Sequence, residues 1–441
     1  MPVRLLEDSP PLDRWFPVFA ARSHCAWLDG ECPGAGAEWS ILACDPAETR
    51  EGPEEGLLPW LDETLARIGT ADAAGPPFRG GVIGCFDYPA VVPSYPPDGP
   101  LELSGWLGLY DRALVGHLPS GRVWAVLGEW VPGGETELDR WLRNLGPPPD
   151  EAGGPVPVRA SRPVADRPAA VYREGVRAIR GWIAAGDIYQ ANLSRRFRSD
   201  VEEGGAADLY RILRRENPAP YSAYLDRGER RLLSSSPELF LRLDRDGRVR
   251  TRPIKGTRPR SAIAEEDALL ARRLRENAKE RAELLMIVDM ERNDLGRVCR
   301  TGSVRAERDF AVESFASVHH LVGDVTGRLR PGVRWTDLFA ASFPGGSITG
   351  APKRRAMEII AEREASARNG FCGSIGYASA CGGGSWNIAI RTLEWEGRTV
   401  EFGVGAGIVW DSDPEAEYRE TLDKARKLFA ALGWPLPQDE E

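Results

Sequence analysis

The chain has 441 residues, of which 42% are hydrophobic and 28% charged; this composition supports a large folded core and excludes a disordered chain. Against 66 Asp and Glu stand 57 Lys and Arg, for a formal net charge of -9, and the arginines are interleaved with acids, so no nucleic-acid partner is expected. No run of 18 apolar residues occurs, and Met1 leads to Glu7 and Asp8 without an apolar segment; neither a membrane span nor a signal peptide is expected, and the chain reads as cytoplasmic.

Residues 1–145 form a first region rich in Pro and Gly. It carries a helix-like segment at 58–68 and β-like runs at 81–86, 107–114 and 123–130. Residues 146–168 hold Pro147, Pro148, Pro149, Gly153, Gly154, Pro155, Pro157, Pro163 and Pro168, a linker unable to sustain helix or sheet. Residues 169–435 alternate more clearly. Helical periodicity covers 171–185, and strand-like runs cover 188–197, 232–233, 240–243 and 249–254, with a turn at Asp246-Gly247. Helices are predicted at 265–277 and 279–290, a β-rich stretch at 303–328, and a helix opening at Pro352 and running to 367. More strands follow to 409, then a last helix over 414–432. The fold class is α/β (α+β) with a large, partly antiparallel sheet.

Seven cysteines (Cys25, Cys32, Cys44, Cys85, Cys299, Cys372 and Cys381) include no CxxC pair, and they read as reduced thiols rather than a zinc site or disulfide framework. Cys372, in Gly370-Phe371-Cys372-Gly373, has no histidine after it and reads as structural. His319-His320 lacks other ligands at metal spacing. The run from Phe343 to Lys353 lacks the Lys-Ser/Thr ending of a phosphate loop, yet a Gly-rich turn opening a helix can hold another anion through its amides. Gly403 to Gly407 is a weak echo of a dinucleotide fingerprint without the βαβ context, and is set aside.

Lys255 is one of only five lysines, with Lys279, Lys353, Lys424 and Lys427. Where a permanent cation would serve, this chain uses arginine; a lysine can lose its proton and act as a nucleophile. An ordinary loop cation fits the same fact. Glu238 lies across the Asp246-Gly247 turn from Lys255, so a hairpin could pair an acid with an amine, or form a surface salt bridge. Glu280 and Glu283, and likewise Glu417 and Glu420, lie three apart on predicted helices, which puts each pair on one face. Facing pairs would suit a hard cation such as Mg2+, while solvated helix faces show the same spacing.

Together these segments resemble the chorismate-utilising enzymes. The resemblance is carried by Gly186-Asp187-Ile188-Tyr189-Gln190-Ala191-Asn192-Leu193-Ser194, Asn217-Pro218-Ala219-Pro220-Tyr221, Ser235-Ser236-Pro237-Glu238 and Pro253-Ile254-Lys255-Gly256-Thr257. Asp289-Met290-Glu291-Arg292-Asn293-Asp294-Leu295-Gly296, Pro344 to Lys353, Gly373-Ser374-Ile375-Gly376-Tyr377, Ile390-Arg391-Thr392 and Gly405-Ala406-Gly407 follow in family order. The first region is less similar, with Leu5-Leu6-Glu7 as its one family-like segment.

The resemblance implies a single unit in which two sheets form a large β sandwich with helices packed outside, the first region contributing to both sheets. It implies Mg2+ held directly by Glu283 and Glu420 and through water by Glu280 and Glu417. Tyr377, Arg391 and the amides of Gly405, Ala406 and Gly407 would bind the enolpyruvyl carboxylate of chorismate, with Lys424 near the metal-bound carboxylate. Ser347, His320 and Gln190 would contact substrate. Relatives that add water carry lysine at the place of Gln190, and those that make anthranilate carry alanine at the place of Lys255. The pair found here implies amination at C4, giving 4-amino-4-deoxychorismate for 4-aminobenzoate and folate synthesis. Lys255 would attack the ring while Glu238 protonates the departing hydroxyl. Ammonia would come from glutamine through a separate amidotransferase subunit, as a heterodimer. Anthranilate formation and a catalytically silent, tryptophan-binding subunit are the alternative readings.

Overall fold

The strand Tyr221–Asp226 shows how this sequence makes layers. Ala223 and Leu225 point to one side, into a buried cluster with Ile83, Cys85 and Ile375, while Tyr224 points to the other, against Phe16 and Tyr210. Period-two alternation with both faces apolar means that both faces are covered. The first cluster takes side chains from two sheets and is the interior of a sandwich. The second lies between a sheet and helices. The protein is seen here as a computed structural model describing residues 3–30, 38–52, 56–70, 75–90, 101–149, 153–307, 309–315 and 318–436. Met1, Cys32, residues 150–152 of the linker stretch and residues 437–441 lie outside these.

Among the described residues there are sheets of 13, nine and three strands, and their ladders are antiparallel. The 13-stranded sheet runs from Val3–Leu6 at one edge to Val164–Ala165 at the other. In its middle Ala26–Asp29 pairs with Tyr221–Asp226, Trp27 opposite Tyr224. In the nine-stranded sheet Gly81–Phe86 pairs with Ser374–Ser379, Ile83 opposite Tyr377. Strands from before and after the proline-rich stretch therefore share both large sheets, each set forming one block, and the blocks meet at these two ladders. Helices Leu12–Ala20, Ala206–Glu216 and Pro414–Ala431 cover the outer face of the first sheet. Leu57–Ile68, Ala278–Gly296 and Trp335–Ser342 cover that of the second. Each large side chain sealed in these layers, such as Phe16 or Leu338, stabilises by about 1.5–3 kcal/mol over leaving it in water. This is the two-sheet α/β architecture implied by the resemblance. No helix among the described residues is long and apolar enough to cross a membrane.

The differences from the sequence reading have local causes. The run at 249–254 divides at Pro253, which has no amide to donate. Arg248–Arg252 stays in the nine-stranded sheet, and Ile254–Pro259 passes to the three-stranded sheet with Val318–Val322 and Ala311–Ser314. The run at 107–114 is two strands, Gly105–Tyr110 and Arg112–His117, in different sheets. The proline-rich stretch does hold β structure: Arg159–Ala160 and Val164–Ala165 pair with Gln190–Glu203. Edge strands tolerate prolines beside them. The helix after Pro352 ends at Arg363, because Glu364 turns to bind Arg368 and the Ser194 hydroxyl. Pro17, inside Leu12–Ala20, hid that helix.

Candidate active site

Two helix starts define one wall. Asn277 accepts a hydrogen bond from the Glu280 amide at 3.0 Å and fixes the start of Ala278–Gly296. Asp413 accepts from the Glu415 and Ala416 amides and, with Pro414 in the first turn, fixes Pro414–Ala431. Glu280 and Glu417 thus sit in the first turns of their helices, where the backbone dipole favours negative charge, and Glu283 and Glu420 follow on the same faces in the second turns. The two helices bring them together: Lys279 Nζ is 4.0 Å from Glu283 Oε1 and 3.9 Å from Glu417 Oε1. Burial pushes the Glu283 carboxyl up although Lys255 and Lys279 stand beside it, and pushes Glu417 up against a hydrogen bond from Ser412. Glu420 goes the other way, because Lys424 at 2.7 Å holds it down.

Lys255 reaches this wall from Ile254–Pro259, its Nζ 3.9 Å from Glu283 Oε2. On its other side lies Gly407, where a Cβ would sit 2.7 Å from Lys255 Nζ, 2.8 Å from Gln190 Nε2 and 3.2 Å from Asn192 Oδ1. The glycine lets the lysine and the amide approach the strand. Gln190 is fully buried, and neither atom of its amide hydrogen-bonds to another described residue. A buried amide left without partners inside a fold is costly unless something else binds it. Gly350 is required nearby: at φ 156° its Cβ would lie 2.1 Å from the Gln190 carbonyl oxygen.

Glu238 faces the same space from the start of Leu239–Leu243. Burial pushes its carboxyl up to about 7, opposed by the Ser347 hydroxyl, Lys255, the Ile254 amide and Arg391. It is therefore an acid poised to give or take a proton near neutrality. Arg391 holds a left-handed φ of 52°, a strained conformation for a side-chain-bearing residue, and desolvation draws its guanidinium down to about 10. His320 is buried beside it with Nδ1 3.0 Å from Thr257 Oγ1; burial and the Arg391 charge hold its ring down at about 3, hence neutral. Ser347 comes from the Gly-rich turn at Gly346–Ile348. Behind it Lys353 is sealed in, giving hydrogen bonds to Asp294 Oδ2, Ser342 O and Pro344 O at 2.7–2.9 Å. Asn192 Nδ2 ties the turn to the sheet through Ser347 O and Thr349 O, each at 3.0 Å.

Lys255, Glu238, Gln190, His320, Ser347, Arg391, Gly407 and the four glutamates therefore gather around one space. Lys424 joins them, fixed by Gly405 O at 2.8 Å. Gly405, Ala406 and Gly407 are in the ladder with Gln190–Glu203, and Ala406 turns its methyl into the helix layer. Tyr377 does not join. On Ser374–Ser379 its ring packs against Phe78 with centroids 5.8 Å apart. It lines a second cavity, between the sheets, with Asp29, Trp39, Pro220, Tyr221 and Arg242. The period-two alternation places its side chain on that interior face, away from Lys255. Cys372 is buried with its thiol pushed up to about 12, so it stays protonated.

The four glutamates suit a hard divalent cation in kind. Every donor is a carboxylate oxygen, and Glu280 Oε2 is buried without a hydrogen-bond partner among the described residues. As they stand, no three acidic, His or Cys side chains among the described residues are drawn close enough to hold an ion. Lysine ammonium groups lie against Glu283, Glu417 and Glu420, and the Arg258 guanidinium lies 2.8 Å from Glu280.

Sequence reasoning passed over Lys279 and Glu291. Lys279 was visible as one of the five lysines. Glu291 falls on the apolar face that carries Leu284, Ile287, Val288 and Leu295, and a carboxyl on such a face is a signal in itself. It accepts a bond from Thr251 at 3.1 Å, and burial, with Glu238 and Asp294 beside it, pushes its carboxyl well above the usual carboxylate range.

Residues 17–430 match a family model described as chorismate binding enzyme. Among curated relatives, aminodeoxychorismate synthase component 1 of Klebsiella aerogenes is 50% identical over 262 residues, 59% of this chain and 57% of that protein. Anthranilate synthase component 1 of Aquifex aeolicus is 46% identical over 261 residues, 59% of this chain and 52% of that one. The matched part thus spans little more than half the length of these relatives. The crystal structure of anthranilate synthase component I from Streptococcus pneumoniae superposes with a TM-score of 0.75 at 31% identity, covering 89% of this chain and 92% of that one. With the family model spanning both large sheets and every group around Lys255, the chain belongs to the chorismate binding enzyme family.

Proposed function

We propose that the chain is the chorismate-aminating component of an aminodeoxychorismate synthase, adding ammonia at C4 to give 4-amino-4-deoxychorismate. The observation that carries this reading is Lys255, an amine held between Glu283 and the buried acid Glu238 in a pocket that also presents the unpartnered amide of Gln190. The relative from Klebsiella bears the same name. Similar identity to an anthranilate synthase keeps that reaction as the second reading.

Lys255 attacks the ring, and the C4 hydroxyl leaves as water with the proton that Glu238 holds. Ammonia then forms the bond at C4, and the lysine departs with its electron pair. Gln190 cannot deprotonate water, so the pocket favours ammonia as the entering group. Arg391, with the backbone of Gly405 and Gly407, binds one substrate carboxylate. Glu283 and Glu420, together with Glu280 and Glu417, would hold a Mg2+ ion, which when bound would neutralise the other carboxylate. The glutamine-derived ammonia is delivered by a separate amidotransferase subunit.

The test is to incubate the purified chain with chorismate, Mg2+ and an ammonium salt and to separate the products. The expected product is 4-amino-4-deoxychorismate, lost in Lys255→Ala. Anthranilate with pyruvate overturns the assignment in favour of the second reading, and undiminished turnover in Lys255→Ala removes the lysine from the mechanism.

A further inference from the structure

The acidic wall contains a cation of the protein's own. Lys279 Nζ lies 4.0 Å from Glu283 Oε1 on its own helix and 3.9 Å from Glu417 Oε1 on the facing one. Four cations stand at the wall and are held differently. Arg258 donates to Glu280 Oε1 at 2.8 Å. Lys424 is fixed by a 2.7 Å contact with Glu420 and a hydrogen bond to Gly405 O. Lys255 is nearly buried behind the wall, 15% exposed. Lys279 is 49% exposed, and both of its ion pairs lie beyond hydrogen-bond length. Lys424 is 42% exposed but pinned by its short contacts, whereas Lys279 combines exposure with ion pairs no shorter than 3.9 Å.

From this arrangement we infer that Lys279 is a built-in counter-ion, bridging the two glutamate-bearing helices in the metal-free protein and opposing entry of a divalent cation. The inference rests on the proposed metal-dependent reading of this site. Its physical content is a competition. Carboxylates crowded by two helix starts repel one another, and a positive charge between them relieves the repulsion. An ammonium and a divalent cation are alternatives for the same oxygens. The residue type fits: a lysine is a compact point charge on a flexible stem, whereas an arginine would clamp carboxylates with a planar fork. Lys279 is not needed to touch substrate; it sets how much metal the free protein must meet before the carboxylates rearrange.

Two half-buried ion pairs of this length imply an effect of about fivefold on metal affinity. The experiment is isothermal titration of the full chain with MgCl2, without chorismate, for wild type, Lys279→Gln and Lys279→Arg. Thermal unfolding with and without Mg2+ is measured in parallel. Lys279→Gln is expected to bind Mg2+ about fivefold more tightly, and to melt lower than wild type without metal but alike at saturation. Lys279→Arg keeps the charge and is expected to bind no more tightly than wild type. Unchanged or weaker Mg2+ binding by Lys279→Gln overturns the role of Lys279 while leaving the metal site standing. Failure of the wild type to bind Mg2+ at all overturns both.

Discussion

Replacing Glu238 by glutamine separates the energetics of this site from its chemistry. In the folded protein the carboxyl is pushed from 4.5 up to about 7 by burial. A tenfold change in proton affinity is worth about 1.4 kcal/mol, so ionised Glu238 weakens the fold by about 3 kcal/mol. The pH dependence follows directly. Below 4.5 the acid is neutral in both folded and unfolded chains and contributes nothing; from there to about 7 the unfolded chain ionises first, and stability is lost; above about 7 the loss is complete. Glutamine is neutral throughout, and its carbonyl still accepts from the Ile254 amide. Glu238→Gln should therefore match wild type at about pH 4 and exceed it by about 3 kcal/mol at about pH 8. Urea unfolding followed by tryptophan fluorescence across that range measures the difference. A difference that does not change with pH would refute the reasoning, because it would place the carboxyl at its ordinary affinity. The same substitution should abolish turnover of chorismate, giving a variant more stable than its parent and inactive.

Gly407→Ala tests the shape of the pocket. The nearest atoms to the new methyl are the ends of Lys255, Gln190 and Asn192, side-chain atoms rather than backbone, so kcat/KM for chorismate should fall at least about tenfold while the melting temperature drops by only a few degrees; full activity would show that this space is not used. Lys353→Met tests the support behind the Gly-rich turn. Taking the Lys353 ammonium from buried Asp294, with Arg297 still 3.6 Å away, should destabilise the protein by about 3 kcal/mol in urea unfolding, and a loss under about 1 kcal/mol would show that the pair is not needed.

How far the sequence could be read depended on whether a residue's neighbours were near it in the chain. Helix Pro414–Ala431 was plain because its signals are local: Asp413 caps it, Pro414 opens it, and Glu417 and Glu420 follow at fixed spacing. The facing of those glutamates with Glu280 and Glu283 was legible only through resemblance, since no periodicity says which helices meet. Tyr377 was assigned from motif order, and order along a strand does not reveal which face a side chain takes; its contact with Phe78 does. Pro253 was visible, but that it would send Lys255 into a different sheet was not, because the partner strand Val318–Val322 lies far along the chain. The environment that makes Glu238 an acid near neutrality is assembled from four separate segments, and no window of sequence contains it.

The joining of an early block and a late block of strands within each large sheet bears on how the chain is made. Ala26–Asp29 leaves the ribosome long before its neighbour Tyr221–Asp226, and Gly81–Phe86 long before Ser374–Ser379. Until those partners emerge, the early strands have unpaired edges, the kind that other chains can add to. A shortened version beginning at residue 169 would bare the complementary edges instead, at Tyr221–Asp226 in one sheet and Ser374–Ser379 in the other. The molecule thus cannot be divided at its proline-rich stretch, and during synthesis it depends on keeping half-built sheets apart until the final strands arrive.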